Sequence, residues 1–189
     1  ILDLKEYIKI HKVFDKDLCK SVIESFDPAK EELHTFYKQG ESYPVGKDPK
    51  RCFIKEGSDG DKVCTLVMLK YRTVIYDYIT NLKFPWLINW NGYSFPKFLK
   101  YEKNTEMTEH CDHIHHLFAD NGQARGIPFL SMITNLNDDY KGGEIVLCKE
   151  HEYKLEVGDT IVFPSNFLYP HTIKTIDHGT RYSMTSWVY

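Results

Sequence analysis

The alternation of apolar and polar residues changes rhythm along this chain, and the changes mark its elements. "YIKIHKVF" (residues 7–14) alternates in the manner of a short strand. Asp15 or Asp17 then offers a cap for a helix through "DLCKSVIESF", where Leu18, Val22 and Phe26 recur at helical spacing. Residues 27–60 are polar and punctuated by Gly40, Pro44, Gly46, Pro49, Gly57 and Gly60, which predicts a long excursion of the functional or mobile kind. A second helix is predicted over residues 61–82, with Val63, Val67, Tyr71, Val74 and Tyr78 on one stripe that core packing explains.

From residue 92 the texture is that of strands. "GYSFPKFLKY", "GIPFLSMITNL", "GGEIVLC", "DTIVF", "HTIKTI" and "RYSMTSWVY" are short β-branched and aromatic runs separated by turn signals. Such spacing predicts an antiparallel sandwich or jelly roll of about eight strands, not a parallel α/β sheet. The expectation is one α+β, mainly β domain over residues 1–189. Within it, residues 1–91 supply helical support and a long loop, and residues 92–189 form the strand core, with the helices packed on one sheet.

Composition narrows the function classes. A net charge of −3 and the lack of a basic patch argue against nucleic acid and against a membrane surface. No apolar run approaches the ~20 residues that span a bilayer, and the first residues lack a signal peptide's basic start and apolar middle. The five cysteines are scattered with no C-x-x-C pair, which suits a reducing compartment and gives a cytoplasmic expectation. No heptad pattern is present, so a monomer is expected. The aromatic content of 14% fits either a packed strand body or an aromatic-lined cavity.

The candidate chemistry lies in "EHCDHIHHLF", residues 109–118. If residues 105–113 run as a strand, His110 and Asp112 share one face while Cys111 and His113 take the other. A third ligand must come from elsewhere, and His171 in "FLYPHTIKTI" is the leading candidate. Two histidines and one carboxylate leave open positions of the kind non-haem Fe(II) oxygenases need, whereas zinc hydrolases favour a tetrahedral site with one opening. On the last strand Arg181, Ser183, Thr185 and Trp187 share a face. A guanidinium beside hydroxyls is a good carboxylate receptor.

The ordered set His110-Cys111-Asp112, Gly142-Gly143-Glu144, "LEVGDTIVFPS", His171 and the Arg181 strand resembles the Fe(II)- and 2-oxoglutarate-dependent dioxygenases. Within them it most resembles the prolyl 4-hydroxylase-like branch, through Tyr101 upstream of the first ligand and the closing R-Y-x-x-x-x-W run, Arg181 to Trp187. The resemblance covers residues 92–189 well and the helical part only in outline. It implies a double-stranded β-helix fold, and Fe(II) held by His110, Asp112 and His171. It also implies 2-oxoglutarate with its far carboxylate on Arg181, O2 as cosubstrate, ascorbate as a possible reductant, and succinate and CO2 as coproducts. The implied reaction hydroxylates an unactivated C–H bond, first of all in a prolyl residue of a protein or peptide. A free amino acid, another small molecule or a nucleobase are the alternatives, and a β-helix that binds without catalysis is the non-enzymatic one.

Two departures matter. Met107 stands where many relatives have an aromatic residue. Asn135 stands where many have a Tyr that helps hold the distal carboxylate, which leaves Asn135, Ser131, Ser183 or Thr185 for that contact. Tyr101 is either a cosubstrate-pocket hydroxyl or a core Tyr, Trp187 either a substrate-facing residue or core, and Ile145 an apolar wall for 2-oxoglutarate. His113, His115 and His116 read as loop residues lining an entrance, with His115 a candidate substrate contact. Arg125 is either a substrate contact or a solvated charge.

Overall fold

The computed structural model describes residues 3–25, 61–83, 90, 92–112 and 127–189, together with the backbone of four short strands between residues 32 and 56. A 3-10 turn, Leu4–Tyr7, leads into β1 (Lys9–Lys12) and α1 (Lys16–Glu24). Next come β2 (Glu32–Leu33), β3 (Thr35–Lys38), β4 (Glu41–Pro44), β5 (Cys52–Glu56) and α2 (Lys62–Leu82). The strand core follows as β6 (Lys97–Tyr101), β7 (Met107–His110), β8 (Leu130–Asn135), β9 (Lys141–Gly142), β10 (Ile145–Leu147) and β11 (His151–Tyr153). It closes with β12 (Asp159–Pro164), β13 (His171–Ile173), β14 (Ile176–His178) and β15 (Arg181–Val188).

Both helices begin where an aspartate can accept from free backbone N–H groups. The Asp15 carboxylate takes Leu18 N at 2.8 Å, and Asp61 takes the amides of Val63 and Cys64. Such caps are worth about 1 kcal/mol each. The α2 stripe is buried as its spacing predicts: Val67, Tyr71, Val74 and Tyr78 all lie in the core.

Seven strands form the major sheet in the order β1-β12-β8-β15-β6-β5-β2, and four form the minor sheet, β11-β10-β13-β7. The pairings are antiparallel, as the turn spacing predicts. The two sheets face each other as a double-stranded β-helix. Alternation decides which core each residue of the major sheet serves. Phe98, Leu130, Met132, Val162, Met184 and Val188 point outward and pack under α1 and α2. Leu99, Tyr101, Ile133, Ile161 and Phe163 point inward against Ile145, Leu147 and Ile173 of the minor sheet.

The excursion expected at residues 27–60 contains strands. β5 and β2 extend the major sheet beyond β6, and β3 pairs with β4 as a hairpin. Their runs of two to five residues are too short to show periodicity between the Gly and Pro punctuation, so the polar composition hid them. Among the described residues no helix is long and apolar enough to cross a membrane.

Candidate active site

The minor sheet brings two distant histidines together. His171, first residue of β13, is the direct ladder partner of His110, last residue of β7, and their rings lie 4.3 Å apart between centroids. Between this pair and the next, Ile173 with Met107, β7 carries one residue more than β13. That bulge lets Met107 and His110, three apart in sequence, both contribute to the inner side. Asp112 does not continue the strand. The ladder stops at His110 and Asp112 sits in the following turn, so the expected sharing of a face by alternation is corrected while the meeting of the two residues holds.

Asp112 Oδ1 lies 3.5 Å from His110 Nε2 and 3.7 Å from His171 Nε2, and one ligand atom from each residue fits within 4.8 Å of the others. The surrounding groups orient all three for a cation. Each Nδ1 faces a backbone carbonyl, Thr108 O at 2.8 Å and Tyr169 O at 3.3 Å. A carbonyl only accepts, so each Nδ1 carries the hydrogen and each Nε2 turns a lone pair to the centre. Asp112 Oδ2 accepts from Ser131 Oγ at 2.6 Å, and Ser131 in turn meets Ser165 Oγ at 2.8 Å. Ser131 has one hydrogen and gives it to the carboxylate, so Ser165 donates to Ser131. This clamp from β8 leaves Oδ1 free for the metal. Ser131→Ala should weaken Fe(II) or Co(II) binding about 10- to 100-fold without altering the fold, measured by titration beside a thermal melt; unchanged affinity would refute the clamp.

The titration behaviour follows from the same geometry. Burial alone would raise the Asp112 carboxyl, but the His171 and His110 imidazoles and the Ser131 hydroxyl hold it well below the usual carboxylate range. Burial pushes His171 down to about 4 against the pull of Asp112. Burial also opposes charge on His110, yet its bond to Asp112 prevails and raises it above its ordinary value. A metal needs both rings neutral. Metal affinity should therefore be complete above the raised His110 pKa and be lost as pH falls through it, at tenfold per pH unit. The slope should steepen near pH 4, where His171 joins; Co(II) titrations across pH test this, and a midpoint below the ordinary histidine range would contradict it.

Deeper between the sheets lies a buried cation. Arg181 is 1% exposed and has no carboxylate partner among the described residues. Its Nη1 donates to Ser183 Oγ at 3.1 Å, its guanidinium lies 5.3 Å from the Tyr101 ring centroid, and its Nε has no hydrogen-bond partner. A guanidinium in this state calls for an anion from outside the described residues. Gly143 makes the room. With φ +71°, it would place a Cβ 2.9 Å from Arg181 Cδ and 2.6 Å from Ile176 Cδ1, so a side chain there would push against the arginine. Ile145 is 1% exposed and packs with Tyr101 and Ile176, as an apolar wall would.

The other expected residues divide. Thr185 donates to Met132 O, and Ser131 serves Asp112, which leaves neither hydroxyl for a second carboxylate contact. The Asn135 amide is also engaged: Nδ2 donates to Asn137 O and Leu155 O, and Oδ1 accepts from Tyr140 at 2.9 Å. Binding a carboxylate through Asn135 would take an Nδ2 hydrogen from one of the two backbone carbonyls. Tyr140 was missed by sequence reasoning, and the only signal for it was a Tyr just ahead of the Gly-Gly turn. Trp187 is the ladder partner of Ser131, so it stands beside the metal residues, and its buried Nε1 has no hydrogen-bond partner. Burial, Asp112 and Glu109 raise the Cys111 thiol, which removes it as a thiolate nucleophile. His113, His115, His116 and Arg125 lie outside the described residues.

Residues 96–189 match the model of the 2OG-Fe(II) oxygenase superfamily. A PKHD-type hydroxylase of Acaryochloris marina is 34% identical over 95 residues, 48% of this chain and 41% of that protein. One of Psychrobacter sp. is 32% identical over 97 residues, 49% of this chain and 37% of that protein. The chain thus spans less than half the length of these curated relatives. A Pseudomonas putida prolyl-4-hydroxylase structure superposes with a TM-score of 0.65 at 16% identity, covering 96% of this chain and 91% of that one. A Trichoplax adhaerens prolyl hydroxylase, solved with a hypoxia inducible factor peptide fragment, gives 0.67 at 14% identity, covering 97% and 83%. At these identities the structural likeness establishes the fold.

Proposed function

We propose that this chain, which belongs to the 2OG-Fe(II) oxygenase superfamily, is an Fe(II)- and 2-oxoglutarate-dependent hydroxylase that acts on a prolyl residue of a protein or peptide. The observation that carries the cofactor reading is the pairing of a two-histidine, one-carboxylate centre with a buried guanidinium that lacks an anion among the described residues. His110, Asp112 and His171 would hold the iron. Arg181, with Ser183 beside it, would hold the far carboxylate of 2-oxoglutarate, and Tyr101 and Ile145 would line its carbon chain. When bound, iron with 2-oxoglutarate and O2 supplies the oxidant for an unactivated C–H bond and releases succinate and CO2.

The residues of the chain fix position and exclude water. The Ser131 clamp and the two backbone carbonyls hold the ligand atoms, while Phe163 packs edge-on to His171 at 4.9 Å between ring centroids. The inner cluster surrounds the charge of Arg181 with apolar side chains. Trp187 offers a buried indole N–H on the ladder position opposite Ser131, where a substrate carbonyl could accept it. The prolyl assignment rests on likeness to structures titled prolyl hydroxylases. Free thiols at Cys19, Cys111 and Cys148 suit a reducing compartment, where we place the protein, with ascorbate as a reductant.

Anaerobic Fe(II) plus 2-oxoglutarate should give a weak visible charge-transfer band. In air, proline-containing peptides should stimulate succinate release and gain one oxygen by mass spectrometry. Stimulation by free proline alone would move the substrate to the small-molecule class. No band and no succinate would leave a binding module.

A further inference from the structure

Given the cosubstrate reading above, we infer that Tyr140 is the second holder of the distal carboxylate of 2-oxoglutarate, poised for it by Asn135.

Tyr140 lies beyond the end of β8, in a turn pressed onto the start of β15. Asn137 clips that turn on both sides of the arginine, with Nδ2 donating to Thr180 O and Oδ1 accepting from Tyr182 N, each at 2.7 Å. The backbone of Gly179 lies so near that a Cβ there would fall 3.1 Å from Tyr140 Cα. The Tyr140 ring packs onto the inner cluster, and both it and Arg181 approach Gly143 closely. A Cβ at Gly143 would meet Tyr140 Cε2 at 3.2 Å and Arg181 Cδ at 2.9 Å.

The phenol then meets Asn135, whose ladder partner is Ser183, the residue that accepts from Arg181. The amide orientation of Asn135 is not arbitrary. Two backbone carbonyls take its Nδ2 hydrogens, so Oδ1 must face the phenol. Tyr140 is therefore parked on a neutral acceptor within the cluster around the guanidinium.

When a carboxylate enters beside Arg181, the phenol hydrogen turns from Asn135 Oδ1 to the anion. A bond to an ionised acceptor is about twice as strong as one between neutral groups, so the exchange favours the anion. Asn135 keeps both backbone bonds throughout, so the turn does not move. The position that Asn135 occupies thus does not lack a carboxylate contact; the hydroxyl reaches it from five residues further along the chain.

The test uses the whole protein loaded with Ni(II), which binds but does not turn over, and compares 2-oxoglutarate with 2-oxopentanoate, an acid of equal length without the second carboxylate. Tyr140→Phe should weaken 2-oxoglutarate binding about ten- to a hundredfold. It should leave 2-oxopentanoate and Ni(II) affinity within twofold, which also shows that the variant is folded. Equal weakening of both acids would reduce Tyr140 to packing, and unchanged 2-oxoglutarate affinity would remove it from the site; either result overturns the inference alone. A wild type that does not prefer 2-oxoglutarate over 2-oxopentanoate would overturn the cosubstrate reading and this inference with it.

Discussion

Asp112→Asn should lower Fe(II) or Co(II) affinity roughly 10²- to 10⁴-fold and abolish succinate release, while the metal-free protein melts close to the wild type. The asymmetry follows from what Asn keeps and loses. It keeps the volume of Asp112 and can still hydrogen-bond Ser131 through either side of its amide. It loses the single negative charge among the three ligands, in a place 9% exposed where charge is weakly screened. Removing one partner of a buried charged pair costs about 3–5 kcal/mol, which is the stated factor in affinity. Metal titration and a melt of the same sample check both halves. Affinity within tenfold of wild type would mean that the two histidines alone hold the ion.

Arg181→Met should act with opposite signs on ligand binding and on stability. The guanidinium is 1% exposed with an unpartnered Nε, so without a bound anion it sits as an uncompensated buried charge. A methionine fills similar space with no charge to desolvate, and such replacements are often neutral to stabilising by about 1–4 kcal/mol. For a chain of this size each kcal/mol raises the melting temperature about 2–4 °C. The same change should remove detectable 2-oxoglutarate binding, because the counter-charge for the distal carboxylate is gone. Arg181→Lys should not rescue it fully, since an ammonium cannot grip a carboxylate with two parallel donors. Calorimetric melts with and without 2-oxoglutarate measure both effects; a destabilised metal-free Arg181→Met protein would show that the arginine serves the fold.

What was legible in the sequence was whatever depended on a single element or on ordered chemistry. The helices show through α2's stripe and through the Asp15 cap, because spacing and capping are local. His110, Asp112, His171 and Arg181 show because their residue types are costly to bury without a role. His110 and Asp112 meet although alternation does not bring them together: a bulge and a turn, not a regular strand, set their directions. Ser131 and Tyr140 were hidden differently. Serine and tyrosine are ordinary on strands and turns, and their partners lie on other elements, so only register reveals them. The strands between residues 32 and 56 are hidden by brevity, for runs of two to five residues hardly display a period.

β8 is buried along its whole length, and alternate residues belong to different halves of the molecule. Ser131, Ile133 and Asn135 serve the space between the sheets, while Leu130 and Met132 pack beneath α2 and Thr134 bonds to Tyr71. Neither half can melt while the other keeps its strand. Ligation at the centre therefore protects the helices as well: an ion held at a hundred times its Kd adds about 2.7 kcal/mol to the whole domain, α2 included. The amides of that helix, remote from the iron, become reporters of its arrival.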